Sequence, residues 1–226
     1  MLRPRTLLSR AYSYLPTSAA QAILPTVRSK IWLDRGIIFI HIPRAAGTSI
    51  NQALYGRFMG HSRASDIERW SNARVRALPR FSVTRNPWER LLSAYRYARR
   101  GSGIGDSAAG IWRPEQYHVP EFENFERFVL EWLAARNVQH LDFVFRPQWL
   151  WVHDRHGRLA VDHLGRTEDL APTIAFIERI LGPIDTLPWI NRSGESLDYR
   201  EMYTPETAAL VRQIYRKDIE LFGYEF

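Results

Sequence analysis

Ile37-Ile-Phe-Ile-His-Ile-Pro-Arg-Ala-Ala-Gly-Thr-Ser-Ile50 is the stretch that decides the fold of this 226-residue chain. Apolar side chains at nearly every position from Ile37 to Ile42 predict a strand covered on both faces, as in a parallel sheet. The run stops at Pro43, and Thr48 to about Tyr55 reads as a helix opened through Gly47-Thr48-Ser49. First-turn N–H groups of a helix have no intrahelical partner, and together with the helix dipole they form a site for phosphate or sulfate. Arg44 adds a fixed positive charge inside the loop. Gly47 lets the backbone come close to the anion, and the Thr48 and Ser49 hydroxyls can donate to its oxygens.

The same plan recurs downstream. Phe81-Ser-Val-Thr84 reads as a second strand ending at Arg85-Asn86-Pro87, and Pro87 suits the first position of a helix carrying Leu91, Leu92, Ala94 and Tyr95. Arg85 at the strand end, the helix start and Ser93 two turns in make a second anion site, and two such sites imply a ligand with two separated phosphates. Residues 101–120, rich in Gly, Ser and Pro, read as a long mobile loop beside the site, part of an acceptor lid. Phe125, Phe128, Val129, Trp132 and Leu133 at i, i+3, i+4, i+7 and i+8 predict a helix over 122–136 with an aromatic core stripe. A short strand is expected over 159–164, a helix from Glu168 to about Leu181, and a final helix with Thr204 as N-cap and Pro205 at its first position, running through Phe222.

The composition, 45% hydrophobic and 24% charged, is that of one globular α/β domain. The net charge of +7 favours anionic ligands. There is no cysteine, so disulfides and thiolate metal sites are excluded. Arg3, Arg5, Arg10, Arg28 and Lys30, with no acid among them, define a basic N-terminal arm over residues 1–35 ahead of a single domain over 36–226. The arm is read as carrying a short helix broken at Pro16 and Pro25, suited at most to weak peripheral contact with anionic lipid. No apolar run is long enough to span a bilayer, and Leu7-Leu8 is too short for a signal-peptide core, so cytoplasm is the default compartment.

A magnesium-dependent P-loop needs a Lys followed by Ser or Thr after its second Gly, and Gly47-Thr48-Ser49 lacks that Lys. The paired motifs instead resemble the sulfotransferase family that uses 3′-phosphoadenosine 5′-phosphosulfate, in particular the carbohydrate sulfotransferase branch and its bacterial relatives. Phe39–Ile50 is similar to that family's 5′-phosphosulfate loop and Val83–Tyr95 to its 3′-phosphate motif. The likeness continues through Phe145-Arg-Pro-Gln148, His163–Leu170, Asn191-Arg-Ser193 and the ending Asp218–Phe226. The resemblance implies a three-layer, P-loop-like α/β fold with a central parallel sheet flanked by helices. It implies Arg44, Ala45, Ala46, Gly47, Thr48 and Ser49 as 5′-phosphosulfate contacts, Arg85 and Ser93 as 3′-phosphate contacts, and Asn191-Arg192-Ser193 closing over the co-substrate. Arg44 stands where the family usually has Lys. A guanidinium can clamp an anion bidentately but does not donate its proton readily, so its role is electrostatic.

In-line sulfuryl transfer to a hydroxyl or amine, with adenosine 3′,5′-bisphosphate as product, builds charge on the bridging oxygen and requires no metal. A hydroxyl acceptor, with a carbohydrate the expected class, also needs a general base, for which histidine suits neutral pH. Of the seven histidines, His61 in Met59-Gly-His-Ser-Arg-Ala-Ser65 is selected, because similar glycan sulfotransferases have a His near the acceptor; His118 is second. His41 reads as packing within the strand and fixing the loop, and His153 and His156 as surface residues beside a Gly turn. Glu89 reads as a helix-dipole residue or a partner of Arg90, and Glu168 as a helix start. Arg146 and Gln148 either meet acceptor hydroxyls and carboxylates or hold loop backbone, and Arg96, Arg99 and Arg100 either extend a basic rim or are a solvated face. The alternatives carried forward are a P-loop-like small-molecule kinase and a non-catalytic basic module for glycan or nucleic acid; nucleic acid is not expected as a partner.

Overall fold

The computed structural model describes residues 17–100, 114–184 and 198–226, with side chains from residue 23 onward. Helix α1 (Thr17–Arg35) leads into β1 (Ile38–Ile40), α2 (Gly47–Tyr55), α3 (Ala64–Trp70), the single turn α4 (Ala73–Arg76), β2 (Arg80–Thr84) and α5 (Pro87–Arg100). Then come α6 (Phe125–Arg127), continued by a π-helical stretch Phe128–Leu133, and α7 (Trp149–Val152), β3 (His163–Arg166), α8 (Ala171–Leu181), α9 (Pro205–Ile214) and α10 (Arg216–Phe222). The strands form one parallel sheet in the order β1-β2-β3, with Phe39 opposite Phe81 and Ser82 opposite Leu164.

Alternation of side chains across a strand explains why the apolar run has no polar face. Ile38, Ile40 and Ile42 pack with Trp32 of α1, Ile67 of α3 and Trp151 of α7. Ile37 and Phe39 pack oppositely, with Phe81, Val83, Ile50 and Leu54 of α2, and Phe176 and Ile177 of α8. The result is the expected three-layer α/β arrangement, a parallel sheet flanked by helices. A third cluster sits outside the sheet, where Leu91, Leu92 and Tyr95 of α5 meet Phe122, Phe125, Phe128, Trp132, Phe145 and Tyr215. Each such fully buried side chain contributes roughly 1.5–3 kcal/mol. The connection after each strand starts its helix at the same edge of the sheet, and this brings the loops after β1 and β2 together.

Several local expectations are corrected. Pro25 does not break the arm: α1 runs through it, held by its packing on α3 and α4 and by Trp32, which is buried in the core beside Ile38 and Ile40. Packing of one face outweighs the one backbone bond that a proline removes. The stretch over 122–136 is a 3₁₀ turn at Pro120–Phe122, then α6 and the π stretch, where buried Phe128, Val129, Trp132 and Leu133 stand at i, i+1, i+4 and i+5, a spacing that a wider helix also serves. The final helix divides at Tyr215, whose side chain turns into the core and donates to the Phe145 carbonyl. Strand β3 begins at His163, and Leu159 instead makes an isolated bridge with His153. No described helix is long and apolar enough to cross a membrane. Residues 101–113 of the expected lid, and Asn191-Arg192-Ser193, lie outside the described residues.

Candidate active site

The site is built from a turn that the sequence can hold only under strain. Arg44 and Ala46 both adopt the left-handed region, with φ of 66° and 53°, a conformation that costs a non-glycine residue about 1 kcal/mol or more. Alternating backbone handedness of this kind turns successive N–H groups toward one concavity. Ala46 precedes α2 without a side-chain cap, so the first-turn N–H groups of Gly47, Thr48 and Ser49 are offered to a ligand. Ala45 departs from expectation: its side chain is fully buried and its N–H donates to the Ile42 carbonyl at 3.3 Å, so it packs the turn from behind.

Gly47 is required for a reason other than anion approach. A Cβ there would overlap the His41 ring, which lies against it. Asn51, one turn on in α2, donates to Gly47 O at 2.9 Å and bridges to His41 Nδ1 at 3.1 Å. His41 in turn carries His61: the His41 carbonyl is 2.9 Å from His61 Nδ1 and the two rings are 4.2 Å apart. A carbonyl only accepts, so Nδ1 of His61 bears the hydrogen and Nε2 keeps its lone pair. Phe58, Phe143 and Trp151 surround the ring. Burial pulls His61 down to about 4, partly offset by the His41 hydrogen bond and reinforced by Arg28. Burial, followed by His61, holds His41 well below its ordinary value too. Both rings are neutral at pH 7.

Arg44 and Arg85 complete the concavity. Arg44 donates through Nε and Nη2 to Ser93 Oγ at 3.1 and 2.9 Å, and its guanidinium lies 4.7 Å from the centre of the Tyr97 ring. Burial and then Arg85 lower it to about 10, so it remains charged at neutral pH. Arg85 pairs with Glu89 at 2.6 Å and donates to the Arg44 carbonyl at 3.3 Å. Glu89 is thus the partner of Arg85 and not of Arg90. The start of α5 offers fewer free N–H groups than the start of α2, because Asn86 N–H donates to Glu168 at 2.7 Å and Trp88 N–H to the Asn86 side chain at 3.1 Å. Glu168 therefore caps this junction and does not begin a helix; α8 starts at Ala171. What this junction offers an anion is mainly side chains.

A cleft of about 430 Å³ joins these parts, lined by His41, Pro43, Arg44, Ala46, Gly47, Thr48, Ser49, Gln52, Phe58, His61, Arg85, Tyr97, Phe143 and Val144. A model of the sulfotransferase family matches residues 31–225. The chain belongs to that family. Comparison with curated proteins gives no match, and comparison with solved structures gives none either. A sulfotransferase moves a sulfuryl group, and this one brings the two strand–loop–helix motifs to one cleft.

Other candidates in this sulfotransferase fall elsewhere. His118 is exposed and outside the cleft, and His156 is exposed beside Arg155. His153 is buried, not a surface residue: its ring packs on Trp149 and Phe222 and its Nδ1 is 2.9 Å from the Trp149 carbonyl. Arg146 donates to the Leu141 carbonyl at 2.7 Å, and Gln148 is fully buried on Arg85 backbone, so both hold loop backbone. Among the described residues no group of acidic and histidine side chains has metal-site geometry. The sequence reading missed Tyr97, which lies one helical turn after Ser93 on the same side of α5 and was identifiable by that spacing. It also missed Arg28, whose Nη1 donates to Ser62 Oγ at 2.9 Å from a helix read as an arm.

Proposed function

We propose that the protein transfers a sulfuryl group from 3′-phosphoadenosine 5′-phosphosulfate to a hydroxyl of a carbohydrate-like acceptor, with His61 as general base. The observation that carries this reading is the single cleft shared by the strained Arg44–Ser49 turn, Arg85 and a neutral His61. The donor set fits such a co-substrate. Uncapped N–H groups and Arg44 suit the 5′-phosphosulfate, and Arg85 with Ser93 suits a second phosphate at the neighbouring helix.

As the acceptor oxygen bonds to sulfur, His61 Nε2 takes the hydroxyl proton, and the bond from sulfur to the bridging oxygen breaks with its electron pair left on adenosine 3′,5′-bisphosphate. Arg44 and the Gly47–Ser49 amides suit that developing charge, and Ser93, Tyr97 and the αL turn fix them beforehand. A free base near pKa 4 is weak, but the anionic co-substrate stabilises the imidazolium that forms beside it, so basicity rises when the donor is bound.

Thermal-shift titration with adenosine 3′,5′-bisphosphate, ATP with magnesium, and 5′-AMP tests the donor site. The bisphosphate is expected to stabilise the fold most, and equal responses to it and to 5′-AMP would remove the argument for two phosphates. Sulfate transfer to a glycan panel, wild type against His61→Ala, then tests the base; undiminished turnover in the variant eliminates His61 from that role.

A further inference from the structure

Arg85 stands at a point where the sheet stops supporting it. The β2–β3 ladder ends at Thr84 opposite Arg166, so the backbone of Arg85 has no strand partner beyond it. A side chain replaces the strand. Gln148 Oε1 accepts the Arg85 N–H at 3.0 Å while its Nε2 donates to the Arg85 carbonyl at 2.8 Å, so one primary amide satisfies both polar atoms of that residue. Gln148 is itself fully buried. Its N–H and that of Trp149 donate to the two oxygens of Asp218, at 2.7 and 2.9 Å, a fully buried carboxylate of α10.

The segment that carries Gln148 also reaches the other anion motif. Arg90 of α5, 1% exposed, donates to the Val144 carbonyl at 3.2 Å, to that of Arg146 at 2.7 Å and to that of Pro43 at 3.4 Å. Residues 144–149 are therefore tied at one end to the turn that leads into Arg44 and at the other to Arg85. No part of this strap contributes the N–H groups of the α2 start.

We propose that Gln148 is a positioning residue for the second phosphate: by clamping the backbone of Arg85 within the 144–149 strap, it sets the direction of the Arg85 guanidinium and the span between the two anion sites. This rests on the two-phosphate reading of the cleft. Loss of the clamp leaves Arg85 present but misdirected, which weakens a ligand in proportion to its use of the 3′-phosphate; apart from the long 3.3 Å bond from Arg85 to the Arg44 carbonyl, the contacts of the Arg44–Ser49 turn stay in place. A residue that merely stabilised the fold would affect all nucleotides alike.

Calorimetric titration of the full chain with adenosine 3′,5′-bisphosphate and with 5′-AMP separates these cases. Gln148→Met keeps the volume and removes both bonds. Gln148→Asn keeps the amide one methylene short, and serves if two unpaired backbone groups prevent the first variant from folding. The expected result is a bisphosphate affinity about tenfold weaker, as for loss of one aligned charge-assisted hydrogen bond, with 5′-AMP affinity within about twofold of wild type by the same reasoning. Equal weakening of both ligands, or no change in either, overturns the role of Gln148. Failure of the wild-type protein itself to prefer the bisphosphate overturns the two-phosphate reading instead, so the two failures are told apart before any variant is made.

Discussion

Replacing His61 by Phe should flatten the acid limb of the stability curve. The ring stays among His41, Phe58, Phe143 and Trp151, but the titration is removed. In the fold His61 takes a proton only near pH 4, against an ordinary value of 6.5. Between those values the unfolded chain binds more protons, so this contribution is complete above pH 6.5 and is lost as pH falls toward 4. One pKa unit corresponds to 1.36 kcal/mol, so the loss is about 2 kcal/mol at pH 5 and about 3 kcal/mol at pH 4. Asp218 acts oppositely. Burial, against the pull of Arg90 and two backbone N–H groups, raises it from 3.8 to about 6, so its protonated form favours the fold below pH 3.8 and that gain is lost as pH rises through 6. Asp218 thus opposes the loss from His61 while His41 adds to it, which is why the difference between wild type and His61→Phe is the informative quantity. Urea unfolding of both proteins at pH 8, 6, 5 and 4 isolates it. The Phe variant also leaves the His41 carbonyl without its donor, but that cost is the same at each pH. A stability difference that does not change between pH 8 and pH 4 would refute the claim that His61 is held neutral.

Two further outcomes follow from the same contacts. Gly47→Ala should lower Tm by roughly 6 °C, since a Cβ there forces the His41 ring off Asn51 at an overpacking cost of about 2 kcal/mol; an unchanged melting curve would contradict the ring's placement. Arg28→Ala should move the acid limb of the pH–rate profile upward by on the order of half to one unit, because a cation opposing protonation of His61 is gone, whereas Arg28→Lys should stay near wild type. Superimposable profiles for all three proteins would exclude that influence.

What the sequence disclosed is what local chemistry dictates. The unbroken Ile37–Ile42 run required a strand covered on both sides, and Thr204-Pro205 marked a helix start that the structure caps through Thr207. Gly47 was legible as a necessary glycine, but its reason, the ring of a residue six positions earlier, was not. The π stretch at Phe128–Leu133 was hidden because its apolar spacing is equally that of an α-helix. The partners that define the cleft were the least legible. Arg44 meets Ser93 across 49 positions, and Gln148 meets Arg85 across 63; no periodicity records which loop will fall beside which. Burial reversed one reading and decided another. His153 beside a glycine turn read as a surface residue and proved to be a backbone partner in the interior, and Gln148, open between acceptor contact and loop backbone, proved to hold backbone.

The last residues of the chain close the junction that carries Arg85. Tyr224 meets the Thr84 hydroxyl at 2.9 Å, the Glu225 carbonyl accepts from Asn86 at 2.7 Å, and Phe226 packs edge-on against Trp88. The β2–α5 junction therefore depends on a distant segment for contacts that the β1 turn and α2 find locally. The half of the cleft built on Arg85 is thus assembled from segments 140 positions apart, whereas the half built on Gly47 is held within ten positions by Asn51 and His41.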